Sequence, residues 1–154
     1  MLKVEPAVRR AQPFDATSIS LLYMELVSNP AVEVLPERIA EISQDGNTAL
    51  LVCEIHGTIC GTALISLCAD VMFRSQPFAV VENVVVSSLA RSQGIGTVLF
   101  RHIEAFCLAN DCSKIMLLSS TNREHAHRFF ERMGFAGSSK HGFIKYRSNF
   151  VTTA

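Results

Sequence analysis

Glu82-Asn83-Val84-Val85-Val86-Ser87-Ser88-Leu89-Ala90-Arg91-Ser92-Gln93-Gly94-Ile95-Gly96-Thr97 runs from an apolar strand through an Arg-x-x-Gly-x-Gly turn into an amphipathic helix. The first turn of a helix offers backbone N–H groups without intrahelical partners at the positive end of the peptide dipole, so an anion is favoured there twice over. Gly94 and Gly96 let the backbone come close to such a ligand. The stretch therefore reads as a site for a phosphate-bearing molecule, against the plainer alternative of a tight strand-to-helix connection.

Outward from this turn, the sequence predicts a mixed sheet with helices on its faces. Toward the N-terminus, Phe78 to Val86 is a strand preceded by Pro77, and Thr48–Ile55 and Thr58–Ala69 are rich in β-branched and apolar residues on either side of a His56-Gly57 hairpin turn. Before them, residues 7–12 read as a short strand. Asp15 or Thr17 caps a helix with Ile19, Leu22, Tyr23 and Leu26 at helical spacing, ended by Ser28-Asn29-Pro30. A second short helix spans Leu35–Gln44 and leaves through Asp45-Gly46-Asn47. Toward the C-terminus, Gly94 to about Asn110 places Ile95, Val98, Leu99, Ile103, Phe106 and Cys107 on one helical face. Lys114–Ser119 is another strand. Asn122 caps a helix whose inner face is Ala126, Phe129, Phe130 and Met133, with Gly134 at its C-terminal cap. Gly142–Arg147 reads as a last strand, and Phe135–Ser138 as a short additional one.

With 154 residues the chain fits one domain with a proper core, residues 7–147 of 1–154. Lys plus Arg and Asp plus Glu number 14 each, so no overall field recruits nucleic acid or an anionic membrane. No apolar run approaches a membrane span and the N-terminus lacks a signal-peptide pattern, so a soluble cytoplasmic protein is expected. Five cysteines, at 53, 60, 68, 107 and 112, form no C-x-x-C pair and leave one over in any disulfide scheme, which fits reduced thiols. The five histidines lack zinc-site spacing, and no metal is expected.

The turn motif, combined with Asn122-x-x-x-Ala126-x-x-Phe129-Phe130-x-x-Met133-Gly134-Phe135 downstream, resembles the GNAT superfamily of acetyl-CoA-dependent N-acetyltransferases. The likeness is close over residues 78–146 and rests on element order alone over 7–69. It implies a mostly antiparallel sheet of six to seven strands with a splayed central pair. In such enzymes the strand equivalent to 82–86 parts from the one equivalent to 114–119, and the pantetheine arm of acetyl-CoA enters the gap. Val84, Val85 and Val86 then act through their backbone, the amides of Ser92, Gln93, Gly94, Ile95, Gly96 and Thr97 hold the pyrophosphate, and Arg91 adds charge at its edge. Asn122 touches the pantetheine arm or only caps its helix; Phe129 and Phe130 are core or cofactor-wall residues.

An amine attacking a thioester needs its lone pair free, a donor for the developing oxyanion and a thiolate that can depart. Glu82 interrupts an otherwise apolar strand, where burial would raise its pKa and make it a base acting through water. Its alternatives are a strand-edge carboxylate paired with an arginine, or a ligand for the substrate's ammonium. Asn83 orients water or substrate, or satisfies a bulge. A backbone N–H near Val84 or Val85 meets the oxyanion. Where related enzymes often carry a tyrosine acid this chain has Phe130, which has no proton to give; Ser119, Ser120, His127 and Tyr146 are the substitutes. The expected acceptor is a primary amine of a small molecule, with Arg74 in the Asp70–Gln76 loop a candidate for clamping a substrate carboxylate. A homodimer is a further expectation. The competing readings are a CoA-binding regulatory module without turnover, a peptide or protein N-acetyltransferase, and a nucleotide-binding protein. The last lacks both a Walker loop and the full Rossmann glycine pattern.

Overall fold

The computed structural model describes residues 4–152. By its internal contacts the chain divides into two compact units, one ending at Leu117 and the other beginning at Leu118. The first carries five strands, β1 (Ala7–Arg10), β2 (Thr48–Ile55), β3 (Thr58–Cys68), β4 (Phe78–Val86) and β5 (Ile115–Leu117), in spatial order β1-β2-β3-β4-β5. All neighbours are antiparallel except β4 and β5, which are parallel. The β2–β3 hairpin turns through His56 at φ 50° and Gly57 at φ 75°, the left-handed pair a two-residue loop requires.

Helices cover both faces of this sheet. α1 (Ala16–Val27) and α2 (Pro36–Gln44) bury Ala16, Ile19 and Ile39 against Leu50 and Val52, with Tyr23 and Leu64 at the margin. α3 (Ile95–Ala109) packs on the opposite face through Ile95, Leu99, Phe100, Ile103 and Cys107. Each large apolar side chain buried there contributes about 1.5–3 kcal/mol, so α3 is held by its flank while its first turn stays open. Gly61 on β3 makes this seat possible: a Cβ there would lie 3.0 Å from Ile95 Cγ2 and 3.1 Å from Leu99 Cδ1.

Asp15 sits at the N-cap of α1, but its carboxylate is used differently from the expected cap. It accepts from the Gln12 backbone N–H at 2.7 Å and from both terminal nitrogens of Arg9 at 2.7 and 2.9 Å, and Arg9 also reaches Glu54. The side chain is 3% exposed. Burial opposes its charge, yet the Arg9 and Gln12 hydrogen bonds prevail and lower its pKa. This fastens the beginning of α1 to β1 and β2.

The second unit contains α4 (Glu124–Arg132), followed by Gly134 at φ 93°. Arg123, not Asn122, occupies its N-cap, and no side chain caps the helix. Within this unit Phe130 is buried and meets Phe129 and Phe135 edge-on, with centroids 5.6 and 6.0 Å apart. Two expected strands do not form among the described residues. Phe135–Ser138 and Gly142–Arg147 make no ladder, and Phe143, Ile144 and Tyr146 stand exposed. Apolar alternation marks a segment suited to a sheet, but a strand exists only where a neighbour supplies hydrogen bonds. The sheet therefore has five strands rather than six or seven.

Candidate functional site

β4 changes character halfway along. Ala79, Val80 and Val81 pair with Ile115, Met116 and Leu117 of β5, and the ladder ends there. β4 continues five residues further, to Val86, paired with β3 alone. Its other edge, beyond Val81, has no ladder partner among the described residues.

A β-bulge sits at the same place. Leu64 opposes Glu82 and Thr62 opposes Val85, so Ala63 faces both Asn83 and Val84. Asn83 takes the strain, with φ 54°, a left-handed conformation that asparagine tolerates better than most residues. The extra residue puts Glu82 and Val85 on the same face of the sheet, the face of α1 and α2, to which Leu64 belongs. Glu82 is exposed, which corrects the expectation that its strand would bury it; Asn83 is exposed and Val85 buried. The apolar residues flanking Glu82 fill the core, but the bulge falls where the sheet edge opens.

α1 supplies two groups that the sequence did not single out. The half-buried Tyr23 has its phenol pKa raised by burial, opposed by a polar interaction with the Asn83 side chain. Glu25 accepts a hydrogen bond from the Ser88 N–H at 3.0 Å, just after β4. The C-terminal half of α1 thus touches both the bulge and the turn that follows. Tyr23 reads in the sequence as one more apolar helix position after Ile19, and nothing in the local spacing marks Glu25.

Beyond Ser88 the chain makes a short 3-10 turn to Ala90, and Arg91, Ser92, Gln93 and Gly94 are exposed. Ser92 has φ 64° and Gly94, at the N-cap of α3, φ 79°. No side chain caps α3 and no acidic residue lies in its first turn. The first hydrogen bond of the helix is Val98 N–H to the Gly94 carbonyl, so the amides of Ile95, Gly96 and Thr97 precede the intrahelical ladder. Ile95 is buried and anchors the turn, which leaves its backbone N–H and those of Gly96 and Thr97 at the open end of the helix. This donor set fits a pyrophosphate. The structure thus assembles Glu82, Val84, Val85, Val86 and Arg91 through Thr97 on consecutive elements of one unit.

The remaining predicted residues lie in the second unit, apart from Arg74 in the first. Asn122 is exposed and Phe129 half-buried. His127 Nε2 stands 2.8 Å from the Ser120 carbonyl oxygen, which commits its proton to that acceptor in the neutral ring. Ser119 Oγ is buried without a hydrogen-bond partner among the described residues. Tyr146 is exposed, as is Arg74, at φ 58° in its loop.

The sequence profile of the acetyltransferase (GNAT) family matches residues 18–135, more than half of the chain. None of the curated proteins matches the sequence. Among solved structures, a candidate acetyltransferase from Agrobacterium tumefaciens is 26% identical with a TM-score of 0.79, over 91% of this chain and 99% of that one. A transcriptional regulator from Bacillus halodurans is 25% identical with a TM-score of 0.80, covering 92% and 100%. Glucosamine-6-phosphate N-acetyltransferase from Arabidopsis thaliana shares the fold at 22% identity, TM-score 0.79, over 93% and 99%. An open strand edge feeding an uncapped helix turn, with a family match that spans both, leads to one assignment: the chain belongs to the acetyltransferase (GNAT) family, whose members transfer acetyl groups and use acetyl-CoA.

Proposed function

We propose that this protein is an N-acetyltransferase that moves the acetyl group of acetyl-CoA to a primary amine of a small molecule, by direct attack through a tetrahedral intermediate. The observation that carries the reading is the unpaired edge of β4 from Glu82 to Val86, leading directly to the open first turn of α3. A pantetheine arm carries its own amides and can add to a free edge as a strand does, here along Val84, Val85 and Val86. The amides of Ser92 to Thr97 would take the pyrophosphate, with the exposed Arg91 adding a charge-assisted contact. The resemblance adds Asn122 and Phe129 to the acetyl-CoA contacts.

Glu82 serves as the base. A primary aliphatic amine of pKa near about 10 arrives protonated at neutral pH, and an exposed carboxylate beside the bulge can take that proton directly or through water. Tyr23 holds the Asn83 side chain, which fixes the bulge and aims a backbone N–H near Val84 or Val85 at the oxyanion. For the departing thiolate, Phe130 has nothing to donate. Of the substitutes, Ser119 has a buried hydroxyl with no other partner, whereas the His127 Nε2 proton is already engaged.

The family match, residues 18–135, takes in both sides of Leu117, which supports reading residues 1–154 as one N-acetyltransferase domain. A cytoplasmic setting agrees with five free thiols, and among the described residues no helix is long and apolar enough to cross a membrane. A homodimer fits the outer edges of β1 and β5, which end the sheet among the described residues. The second reading, a CoA-binding regulatory module without turnover, draws on Phe130 and on the Bacillus halodurans regulator of similar fold.

Calorimetry with acetyl-CoA, CoA, ATP and NAD, followed by thiol release across a panel of amines, tests the proposal. Micromolar binding of acetyl-CoA, weak binding of ATP and NAD, and thiol release with a small amine are expected. Binding without release from any amine or peptide would favour the regulatory module, and a folded protein that ignores acetyl-CoA would overturn both.

A further inference from the structure

The end of α3 carries a feature that acetyl transfer does not use. The Cys112 N–H donates to the Cys107 carbonyl at 2.9 Å, and the Asp111 N–H to the Leu108 carbonyl at 3.1 Å. Asp111 is left-handed, with φ 56°. Together these make a Schellman motif, in which the residues at the positions of Cys107 and Cys112 normally close the helix end with an apolar contact. Here both are thiols, close enough for each to shift the other's ionisation.

Backbone geometry brings the pair within reach of a disulfide. With Cα about 1.5 Å from its own nitrogen and about 2.4 Å from its own carbonyl oxygen, a 2.9 Å bond limits the Cα–Cα separation to about 6.8 Å, the upper bound for disulfides. Access is available too. Cys107 and Cys112 line a surface cavity of about 250 Å³ together with Glu104, Leu108, Lys114 and Ile115. Cys112 is half-buried, and Cys107 is 4% exposed. A second close pair, Cys53 and Cys60, lies buried in the sheet, with the Cys60 thiol donating to the Cys53 carbonyl.

We propose that Cys107 and Cys112 form a reversible oxidation site, at which a peroxide converts the dithiol to an intramolecular disulfide that staples the end of α3 to the turn before β5. Cys112, the more accessible sulfur, attacks the peroxide as thiolate. An S–O bond forms, the O–O bond breaks, and the leaving oxygen takes a proton to become water or an alcohol. Cys107 then loses its proton and attacks the sulfenic sulfur, the S–S bond forms and hydroxide leaves as water. Two electrons pass from the thiols to the peroxide.

The surroundings set the pace. Burial pushes the Cys107 thiol up to about 12, with Cys112 and Glu104 adding to the shift, and burial raises Cys112 too, with Asp111 and Cys68 contributing. The contact with Cys107 works the other way on Cys112. Oxidation is therefore slow at neutral pH and faster in alkali.

The test treats the full-length protein with hydrogen peroxide, blocks remaining thiols by alkylation and maps the cysteines by peptide mass. A product about 2 Da lighter, with Cys107 and Cys112 in one cross-linked peptide and both restored by dithiothreitol, is expected. In Cys107→Ser, Cys112 should instead gain about 16 or 32 Da. Cys112→Ser, at the more exposed position, covers the case in which the buried substitution fails to fold, and it should lose the cross-link. Cys68→Ser should keep it. A Cys68–Cys112 or intermolecular bond, or two alkylatable thiols at 107 and 112 after glutathione in the same tube has been fully oxidised, would overturn the proposal.

Discussion

The two halves of β4 share one strand and one partner, β3, but only Ala79 to Val81 also have β5. In that half Ala79 and Val81 are sealed in the core, Val81 at 1% exposure. In the other half Glu82 and Asn83 are exposed, the strand bulges, and an edge is left open. A strand is stable when both edges are satisfied or solvated, so an edge left free beside a core is a place where a ligand with its own amides can bind. The difference separates a packed beginning of the strand from an end whose free edge the proposed function uses.

The contrast predicts opposite consequences for neighbouring substitutions. Val81→Asp buries an unpaired charge and should cost more than about 3 kcal/mol, read as collapse of the urea midpoint. Glu82→Gln, one residue on, should shift stability by less than about 0.5 kcal/mol yet lower kcat/KM about 100-fold, most at low pH where the amine is protonated. Equal stability losses at the two positions would erase the distinction between the halves, and unchanged rates across pH would remove Glu82 as the base. Gly94→Val forces a β-branched residue to φ 79° at the N-cap of α3 and should weaken acetyl-CoA binding about 100-fold by calorimetry while circular dichroism stays native. Undiminished affinity would displace the pyrophosphate from this turn.

Two smaller effects probe how α1 supports the open half. Asp15 has a lowered pKa in the folded chain, so its stabilising effect is present above the ordinary aspartate range near pH 3.8 and is lost as pH falls through the lowered value. Asp15→Asn should cost about 2 kcal/mol at pH 7 and flatten that acid limb; an unchanged acid limb would show that the Arg9–Asp15 pair is not its source. Tyr23→Phe should lower kcat about 5-fold with a stability change near about 1 kcal/mol, since it releases Asn83 without opening the core. A pure loss of stability with kcat intact would make Tyr23 a packing residue only.

Much of this was legible in the sequence, and the reasons differ from element to element. Ile95, Leu99 and Ile103 declare the face of α3 by their period, and Gly94 declares the turn because only a few residues accept its φ. The β2–β3 hairpin follows from His56-Gly57 between two β-branched runs. What periodicity cannot state is whether an edge is occupied. Gly142 to Arg147 has the pattern of a strand and no ladder, whereas β4 has the pattern throughout and a second neighbour for only a third of its length. The exposure of Glu82 and the roles of Tyr23 and Glu25 arise from the bulge and from contacts between α1 and residues some 60 positions later. Such contacts leave no mark in local spacing.

Amide hydrogen exchange read residue by residue, with and without saturating acetyl-CoA, tests the open edge most directly. Protection that appears at Val84 to Val86 and at Ile95 to Thr97, while Ala79 to Val81 are already slow and stay unchanged, is the predicted result. Acetyl-CoA binding that leaves the second half of β4 and the first turn of α3 exchanging as before would contradict it.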